Sequence, residues 1–223
     1  MTDAYDISGV LPESCPQSLP AGTNVAVVGP TMTGKRELAL ELLAAGYEAG
    51  NAILCITTES ARTVYRDLDR HIDDIDRDRI GIVDASGSEG RKLVDATTEQ
   101  VSSPGDLTGI SIGAMKLFDT FERRGIEDIR YGLVSISTLL QYVDRRTVFK
   151  FLHVYTKRIE DTDSLGIYTL DNDSHDAETI NTITGQFDGA IEVRETDDDI
   201  EVRARGFGRR PTPWVSLPPS SRE

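Results

Sequence analysis

One segment of the chain, 24–42, restricts the possible folds more than any other. Its apolar run 25–28 predicts a buried strand, and a turn-forming stretch bounded by Gly29 and Gly34 follows directly. Lys35 then opens a run rich in Leu, Ala and Glu, which predicts a helix. A strand, the pattern G-x-x-x-x-G-K and a helix in this order are typical of a phosphate-binding loop. The segment therefore predicts an α/β domain.

This loop has a physical reason to hold an anion. Gly29 and Gly34 let the backbone curl tightly, so that several N–H groups converge on one point. The start of the helix adds free N–H groups and a partial positive charge, and Lys35 reaches the outer phosphates. The alternative is an ordinary glycine turn between a strand and a helix. The residues predicted to bind a nucleotide are Gly29, Pro30, Thr31, Met32, Thr33, Gly34, Lys35 and Arg36.

Arg36 departs from the loop pattern, because that position normally carries the Ser or Thr whose hydroxyl holds Mg²⁺. Arginine is a donor only and is permanently charged. Two roles stay open for it. The guanidinium lies beside the phosphates and replaces part of the metal's charge, or it points outward into an ion pair with Glu37 or Glu41.

The composition limits the surroundings in which the chain works. Its 223 residues suffice for one α/β domain, and its formal net charge is −14 with Asp favoured over Glu and Arg over Lys. This surface favours a protein kept soluble at high salt; an ordinary acidic cytosolic protein is the alternative. The acidity disfavours a broad nucleic-acid-binding face. No membrane-length apolar run or secretory signal is present, so a cytoplasmic location without a membrane partner is expected.

The two cysteines, Cys15 and Cys55, form no metal or disulfide framework, and Cys55 is predicted to be a buried strand residue. The three histidines, His71, His153 and His175, are scattered without metal-ligand spacing, so the metal site is unknown.

Strands alternate with helices along the chain, which predicts a three-layer domain with a mostly parallel sheet. Strands are predicted at 24–28, 51–57, 80–83, 131–136 and 165–170, and helices at 34–49, 61–71, 107–124, 145–160 and 178–187. The alternating segments 189–194 and 200–205 predict a C-terminal antiparallel hairpin, and 85–105 a long loop.

Three regions follow from this organisation. They are an irregular N-terminal arm (1–22), the phosphate-loop domain (23–208) and a Pro-rich C-terminal tail (209–223). Leu11 and Leu19 of the arm are expected to pack onto the domain. Ligands of such sheets bind at the carboxyl ends of the strands. Those ends carry the loop, Glu59, Asp84, the segment 135–138 and Asp171.

Five segments, 29–40, 56–60, 103–112, 135–142 and 169–181, together resemble the RecA-like ATPases of the KaiC type, specifically a degenerate branch found in salt-loving archaea. The resemblance covers about 24–194. It implies a RecA-like P-loop domain that binds ATP, and family members commonly assemble into rings or filaments. A homo-oligomer or a protein partner is therefore an expectation, although no arginine finger can be named.

The resemblance also implies a catalytic glutamate after the second strand, and Glu59 occupies that place. The alternative is an exposed acid favoured by a helix start. The family's metal-binding aspartate falls on Val134, which has no carboxylate. Since the hydroxyl at position 36 is also missing, we expect a weakened or reshaped Mg²⁺ site. Asp84 and Asp171 are substitute ligands, or they are turn-starting and capping acids.

Three functions remain after this reading. The first is a nucleotide-binding protein with weakened or absent hydrolysis and a regulatory or signalling role. The second is an active ATPase that uses Glu59 with a substitute metal ligand, and the sequence does not decide whether ATP is hydrolysed. The third is a recombination accessory protein that binds single-stranded DNA, which is disfavoured because no basic strip interleaved with aromatics is present. Its support is confined to Arg203, Arg205, Arg209 and Arg210 near Phe207 and Trp214, where Trp214 is expected to be a packing anchor.

Overall fold

The computed structural model describes residues 2–87, 96–196 and 199–217. The strands are β1 (Ala4–Asp6), β2 (Ser18–Pro20), β3 (Asn24–Gly29), β4 (Ala52–Thr57), β5 (Ile80–Asp84), β6 (Thr97–Gln100), β7 (Ile129–Val134), β8 (Leu165–Asp171), β9 (Gly189–Glu195), β10 (Ile200–Arg205) and β11 (Val215–Ser216). The α-helices are α1 (Lys35–Ala44), α2 (Ala61–Asp69), α3 (Leu107–Arg123), α4 (Ile136–Tyr142), α5 (Arg145–Asp161) and α6 (Ala177–Thr184).

The main sheet has nine strands in the order β11-β10-β9-β3-β8-β7-β4-β5-β6. The strands from β9 to β6 all pair in parallel, while β10 runs antiparallel to β9 and β11 antiparallel to β10. The predicted fold class, a mostly parallel α/β sheet with a C-terminal antiparallel hairpin, is therefore confirmed. The loop strand β3 lies inside the sheet, between β8 and β9.

Each face of the sheet is covered by its own helices. Successive side chains of a strand point to opposite faces, so Val25 and Val27 belong to one hydrophobic cluster and Ala26 and Val28 to the other. The first cluster contains residues of α1, α2 and the N-terminal arm. The second contains residues of α3, α4, α5 and α6. The result is a three-layer domain in which β3 is buried on both sides.

The N-terminal arm is more ordered than its composition predicts. Strands β1 and β2 pair in a small antiparallel sheet, and Leu11 and Leu19 are buried as expected. Tyr5 and Ile7 join the same core cluster. The arm therefore packs as part of the hydrophobic core, since burial of these apolar side chains stabilises its position.

Several predicted boundaries were wrong. Helix α1 ends at Ala44 rather than 49, because the chain turns there and reaches Gly50 with a φ of 96°. Strand β7 ends at Val134, and the unpredicted helix α4 begins immediately afterwards. The predicted long loop 85–105 contains the edge strand β6, while its part 88–95 lies outside the described residues.

The C-terminal tail also differs from the irregular segment that the sequence predicts. Val215 and Ser216 pair with β10. Just before them, the guanidinium groups of Arg194 and Arg203 lie 4.3 and 4.6 Å from the centroid of the Trp214 ring. Such cation–π contacts anchor the tail on the outer hairpin, in agreement with the expected packing role of the tryptophan.

Candidate functional site

A cavity of about 520 Å³ opens at the carboxyl ends of the central strands. Its walls are the loop residues 31–36, Thr58 and Glu59 after β4, Val134, Ser135 and Thr138 at the end of β7, and Thr169 and Asp171 of β8. The fold thus brings together the loop, the candidate catalytic acid and the segment after β7, which are far apart in the sequence. Asp84 does not line this cavity.

The loop conformation depends on its two glycines. Gly34 precedes the first turn of α1 with a φ of 76°, in the left-handed region that favours glycine. A Cβ at Gly29 would stand 2.6 Å from the carbonyl oxygen of Val193, so a side chain is excluded there. The Thr33 hydroxyl donates to the carbonyl of Pro30 at 2.8 Å and closes the loop on itself. Helix α1 therefore begins with its free N–H groups at the cavity wall.

Lys35 is buried at the base of the loop. Its Nζ lies 2.8 Å from Oδ1 of Asp171 and also donates to the carbonyl of Pro30. Asp171 comes from β8, and the sheet register places it directly beside Gly29. A cation held by one exchangeable carboxylate is suited to a phosphate ligand, because phosphate oxygens can replace that carboxylate.

Arg36 lines the cavity but does not form the outward ion pair with Glu37 or Glu41, and its role beside a phosphate stays a prediction. Its Nε and Nη2 donate to the two carboxylate oxygens of Glu59 at 2.8 and 3.1 Å. Nη2 also lies 2.9 Å from Oδ2 of Asp67 on α2. The expected partners Glu37 and Glu41 are not its acceptors. Partial burial alone would lower the pKa of Arg36, but the charges and hydrogen bonds of Glu59 and Asp67 outweigh it and raise that pKa.

The pairing with Arg36 engages both carboxylate oxygens of Glu59, the candidate general base. Both carboxylate oxygens of Glu59 accept from Arg36, and its main-chain N–H donates to the hydroxyl of Thr57 at 3.0 Å. A general base needs a free oxygen within hydrogen-bond distance of the attacking water. In this conformation, Glu59 is poorly placed to activate water.

The acids proposed as substitute metal ligands are separated by the fold. Oδ2 of Asp84 accepts the N–H of Ala61 at 2.7 Å, and Oδ1 accepts the N–H and the hydroxyl of Ser86 at 3.0 and 2.6 Å. Asp84 therefore anchors the start of α2 and the turn after β5. Val134 ends β7 at the cavity and supplies no carboxylate. Among the described residues that line the cavity, the acids are Glu59 and Asp171.

One contact of the loop had no signal in the sequence. Asp173, just after β8, accepts the N–H and the hydroxyl of Thr31 through Oδ1, at 3.0 and 2.9 Å. The Thr31 hydroxyl, assisted by its N–H, holds the pKa of Asp173 below the ordinary value. Knowledge that β8 neighbours β3 would have pointed to this acid, but strand order is not readable from one sequence.

The arginines of the C-terminal hairpin form ion pairs with neighbouring acids. Arg203 and Arg205 both pair with Glu192, and Arg194 pairs with Glu201. These contacts agree with a solvated, ion-paired hairpin surface.

The architecture and the loop define the class of the protein, which has a RecA/KaiC-like α/β fold with a phosphate-loop sequence between its central strand and α1. The chain belongs to a family of unknown function, DUF7504, whose profile matches residues 22–193. No curated protein matches the chain. Within the described residues, no helix is both long and apolar enough to cross a membrane.

Two solved structures from Pyrococcus horikoshii are similar to this fold. The uncharacterised protein PH0321, crystallised in complex with an unknown peptide, superposes with a TM-score of 0.65 at 10% identity, covering 83% of this chain and 84% of that one. The KaiC-like protein PH0186 from strain OT3 gives a TM-score of 0.61 at 14% identity and covers 97% and 93%. At these identities the likeness establishes the fold.

Proposed function

We propose that this protein is a RecA/KaiC-like nucleotide-binding protein that holds ATP at the loop 29–36 and hydrolyses it weakly or not at all. Its role is then regulatory or signalling, through ATP-dependent association with itself or with a partner. The observation that carries the proposal is the double role of Arg36. It stands where the pattern has the metal-binding hydroxyl, and its guanidinium donates to both carboxylate oxygens of Glu59.

Binding is supported by the geometry of the loop. The cavity volume of about 520 Å³ falls within the usual range of small-molecule sites. Lys35 is buried beside Asp171 at its base, and the N-terminus of α1 lines its wall. Convergent N–H groups and one buried ammonium are the groups that a polyphosphate requires.

Weak hydrolysis is supported by the acids and hydroxyls at the site. Mg²⁺ binds through one or two carboxylates plus phosphate oxygens and demands near-octahedral oxygen ligands. Position 36 offers a guanidinium and position 134 an isopropyl group, so neither fits the ion. Among the described residues that line the cavity, the carboxylate besides Glu59 is Asp171, and it is engaged by the Lys35 ammonium. Arg36 supplies a fixed positive charge near the cavity that needs no metal.

A second candidate is an active ATPase in which Asp171 is the substitute metal ligand and Glu59 is released from Arg36. The observation in its favour is the position of Asp171, which lines the cavity on the strand next to the loop strand. A phosphate that binds Lys35 frees the Asp171 carboxylate for a metal ion. The active ATPase requires the Lys35–Asp171 and Arg36–Glu59 ion pairs to rearrange, whereas the nucleotide-binding protein requires this of the Lys35–Asp171 pair alone.

We also propose, on the composition and the resemblance, that the chain comes from the branch of salt-loving archaea and works in the cytoplasm. Its Asp-rich surface supports the first point. Binding of single-stranded DNA is disfavoured, because Arg203 and Arg205 are paired with Glu192.

The test is a titration of the full chain with a fluorescent ATP analogue at high salt, in Mg²⁺ and then in EDTA, with phosphate release measured in parallel. We expect saturable binding that changes little when Mg²⁺ is removed, with no turnover above background. Lys35→Ala should weaken binding about tenfold or more, since it removes a charge-assisted contact to phosphate. Lys116→Ala is the matched control, because Lys116 pairs with Glu99 on the surface of α3.

Two other results would redirect the proposal. Binding that depends on Mg²⁺, with turnover abolished in Glu59→Gln, selects the ATPase. Absence of binding in both buffers overturns both functions.

A further inference from the structure

A second group of charged side chains lies between α1 and the end of α2. Glu37 and Glu41 are one turn apart on α1, and His71 follows α2. One ligand atom from each of the three side chains lies within 4.8 Å of the other two. Nε2 of His71 stands 2.7 Å from Oε1 of Glu37, and the imidazole is 7% exposed. The sequence carries no sign of this cluster, because His71 lies 30 positions after Glu41.

The cluster has an excess of negative charge. Like charges four residues apart on a helix repel each other. His71 is hydrogen-bonded to Glu37, but within residues 2–87, 96–196 and 199–217 the carboxylate of Glu41 has no hydrogen bond or ion pair. The hydrogen bond from His71 therefore satisfies the carboxylate of Glu37, while no described neighbour balances the charge of the Glu41 carboxylate. With a neutral imidazole the group carries two negative charges, which a divalent cation balances.

We propose that Glu37, Glu41 and His71 bind a divalent transition-metal ion of the Zn²⁺ type. One imidazole nitrogen and two carboxylate oxygens are ligands of Zn²⁺, Co²⁺ and Mn²⁺, whereas Mg²⁺ and Ca²⁺ prefer oxygen alone. Zn²⁺ bonds of about 2.0–2.1 Å place tetrahedral ligand atoms about 3.3 Å apart. Glutamate side chains on a partly exposed helix face reach that spacing by rotamer changes, and a water completes the fourth position.

The site is separate from the nucleotide cavity. Glu37 follows Arg36 in the chain, but consecutive helix residues point in different directions. Arg36 turns to Glu59 while Glu37 turns to His71, and neither Glu37 nor Glu41 lines the cavity. A bound ion would join α1 to the end of α2, the same two helices that Arg36 and Asp67 join. The proposal does not depend on nucleotide binding.

The test uses the full chain, freed of metal with a chelator and titrated with CoCl₂ and then ZnCl₂ without nucleotide. We expect one Co²⁺ per chain, with visible absorption bands that Zn²⁺ abolishes and that excess Mg²⁺ leaves unchanged. Glu41→Gln keeps the shape and removes the charge, and it should weaken Co²⁺ binding about tenfold or more. Glu48→Gln, an exposed acid just beyond α1, is the control and should bind as the wild type does.

His71→Gln provides a second variant, and circular dichroism checks that each variant is folded. Failure of the wild-type chain to show saturable Co²⁺ binding overturns the proposal whatever the variants do. Equal affinity in the wild type and Glu41→Gln also overturns it, because the ion is then bound elsewhere.

Discussion

Arg36 and Arg130 carry the same guanidinium group at opposite ends of the parallel sheet, and their partners differ in kind. Arg36, at the carboxyl ends of the strands, is half-buried and pairs with the carboxylates of Glu59 and Asp67. Arg130, near the start of β7, is 1% exposed. Its donors go to neutral oxygens, at 2.9 Å to the side chain of Asn51, 2.7 Å to the carbonyl of Leu42 and 2.6 Å to that of Asp6.

The partners of Arg36 can be exchanged for a ligand, whereas those of Arg130 are fixed by the fold. A carboxylate partner can be replaced by a phosphate or released to solvent, so the Arg36 cluster can change with ligand. Two of the three acceptors of Arg130 are backbone carbonyls of α1 and of the N-terminal arm, so they separate when the fold opens. Burial lowers the pKa of Arg130 to about 10, which leaves it charged at neutral pH. The carboxyl end is therefore suited to binding and the amino end to holding the arm.

The largest effect on stability is expected for Arg130→Ala. It leaves buried oxygens without donors and opens a cavity, so we expect a loss of about 3–5 kcal/mol in the free energy of unfolding. Urea denaturation measures this loss. Arg123→Ala, on the exposed end of α3, is the control and should change stability by about 0.5 kcal/mol or less. Similar losses in the two variants would show that Arg130 is not a structural residue.

A smaller effect on stability, but a larger one on function, is expected for Arg36→Ser. The pair with Glu59 is partly exposed, and the buried Asp67 keeps Arg66 and Arg70 as partners, so stability should change by about 1 kcal/mol or less. The new hydroxyl and the released Glu59 should make nucleotide binding sensitive to Mg²⁺ and raise phosphate release, more so when combined with Val134→Asp. Adding Glu59→Gln should remove the gain. A variant as inactive as the wild type would show that Arg36 is not what limits hydrolysis.

The smallest effect concerns Cys55, a β4 residue between the two ends that is fully buried. Burial raises the pKa of its thiol to about 12 from an ordinary 9.0. A folded-state pKa above the unfolded one gives stability that is complete below pH 9 and is lost as pH rises towards 12. The contribution lost by pH 10 is about 1 kcal/mol.

The check on Cys55 is a comparison of slopes. In Cys55→Ala, the free energy of unfolding should fall less steeply between pH 9 and pH 10.5 than in the wild type, although the variant is less stable overall because of the cavity. Parallel curves would show that the thiol ionises equally well in the folded chain.

The fold was largely predictable because its signals are local. The apolar strands 25–28 and 80–83, the turn glycines and the alternating C-terminal segments each specify an element through neighbouring residues. The errors fell where tertiary contacts decide the conformation. The edge strand β6 forms by pairing with β5, and β11 by pairing with β10, although both segments are polar or Pro-rich.

Residue types in the sequence pointed to the members of the candidate site, but they did not predict how those residues contact one another. The sequence alone determined the loop 29–35 and the missing hydroxyl at Arg36, since each is a matter of residue type at a known spacing, whereas the missing acid at Val134 is what the resemblance to the KaiC type implies. The tertiary structure decided that Arg36 binds Glu59 and that Lys35 binds Asp171. The same is true of His71, which meets two glutamates of α1. These pairs depend on strand order and on the packing of helices, and residues 23 to 136 positions apart in the chain contain no local pattern that encodes such contacts.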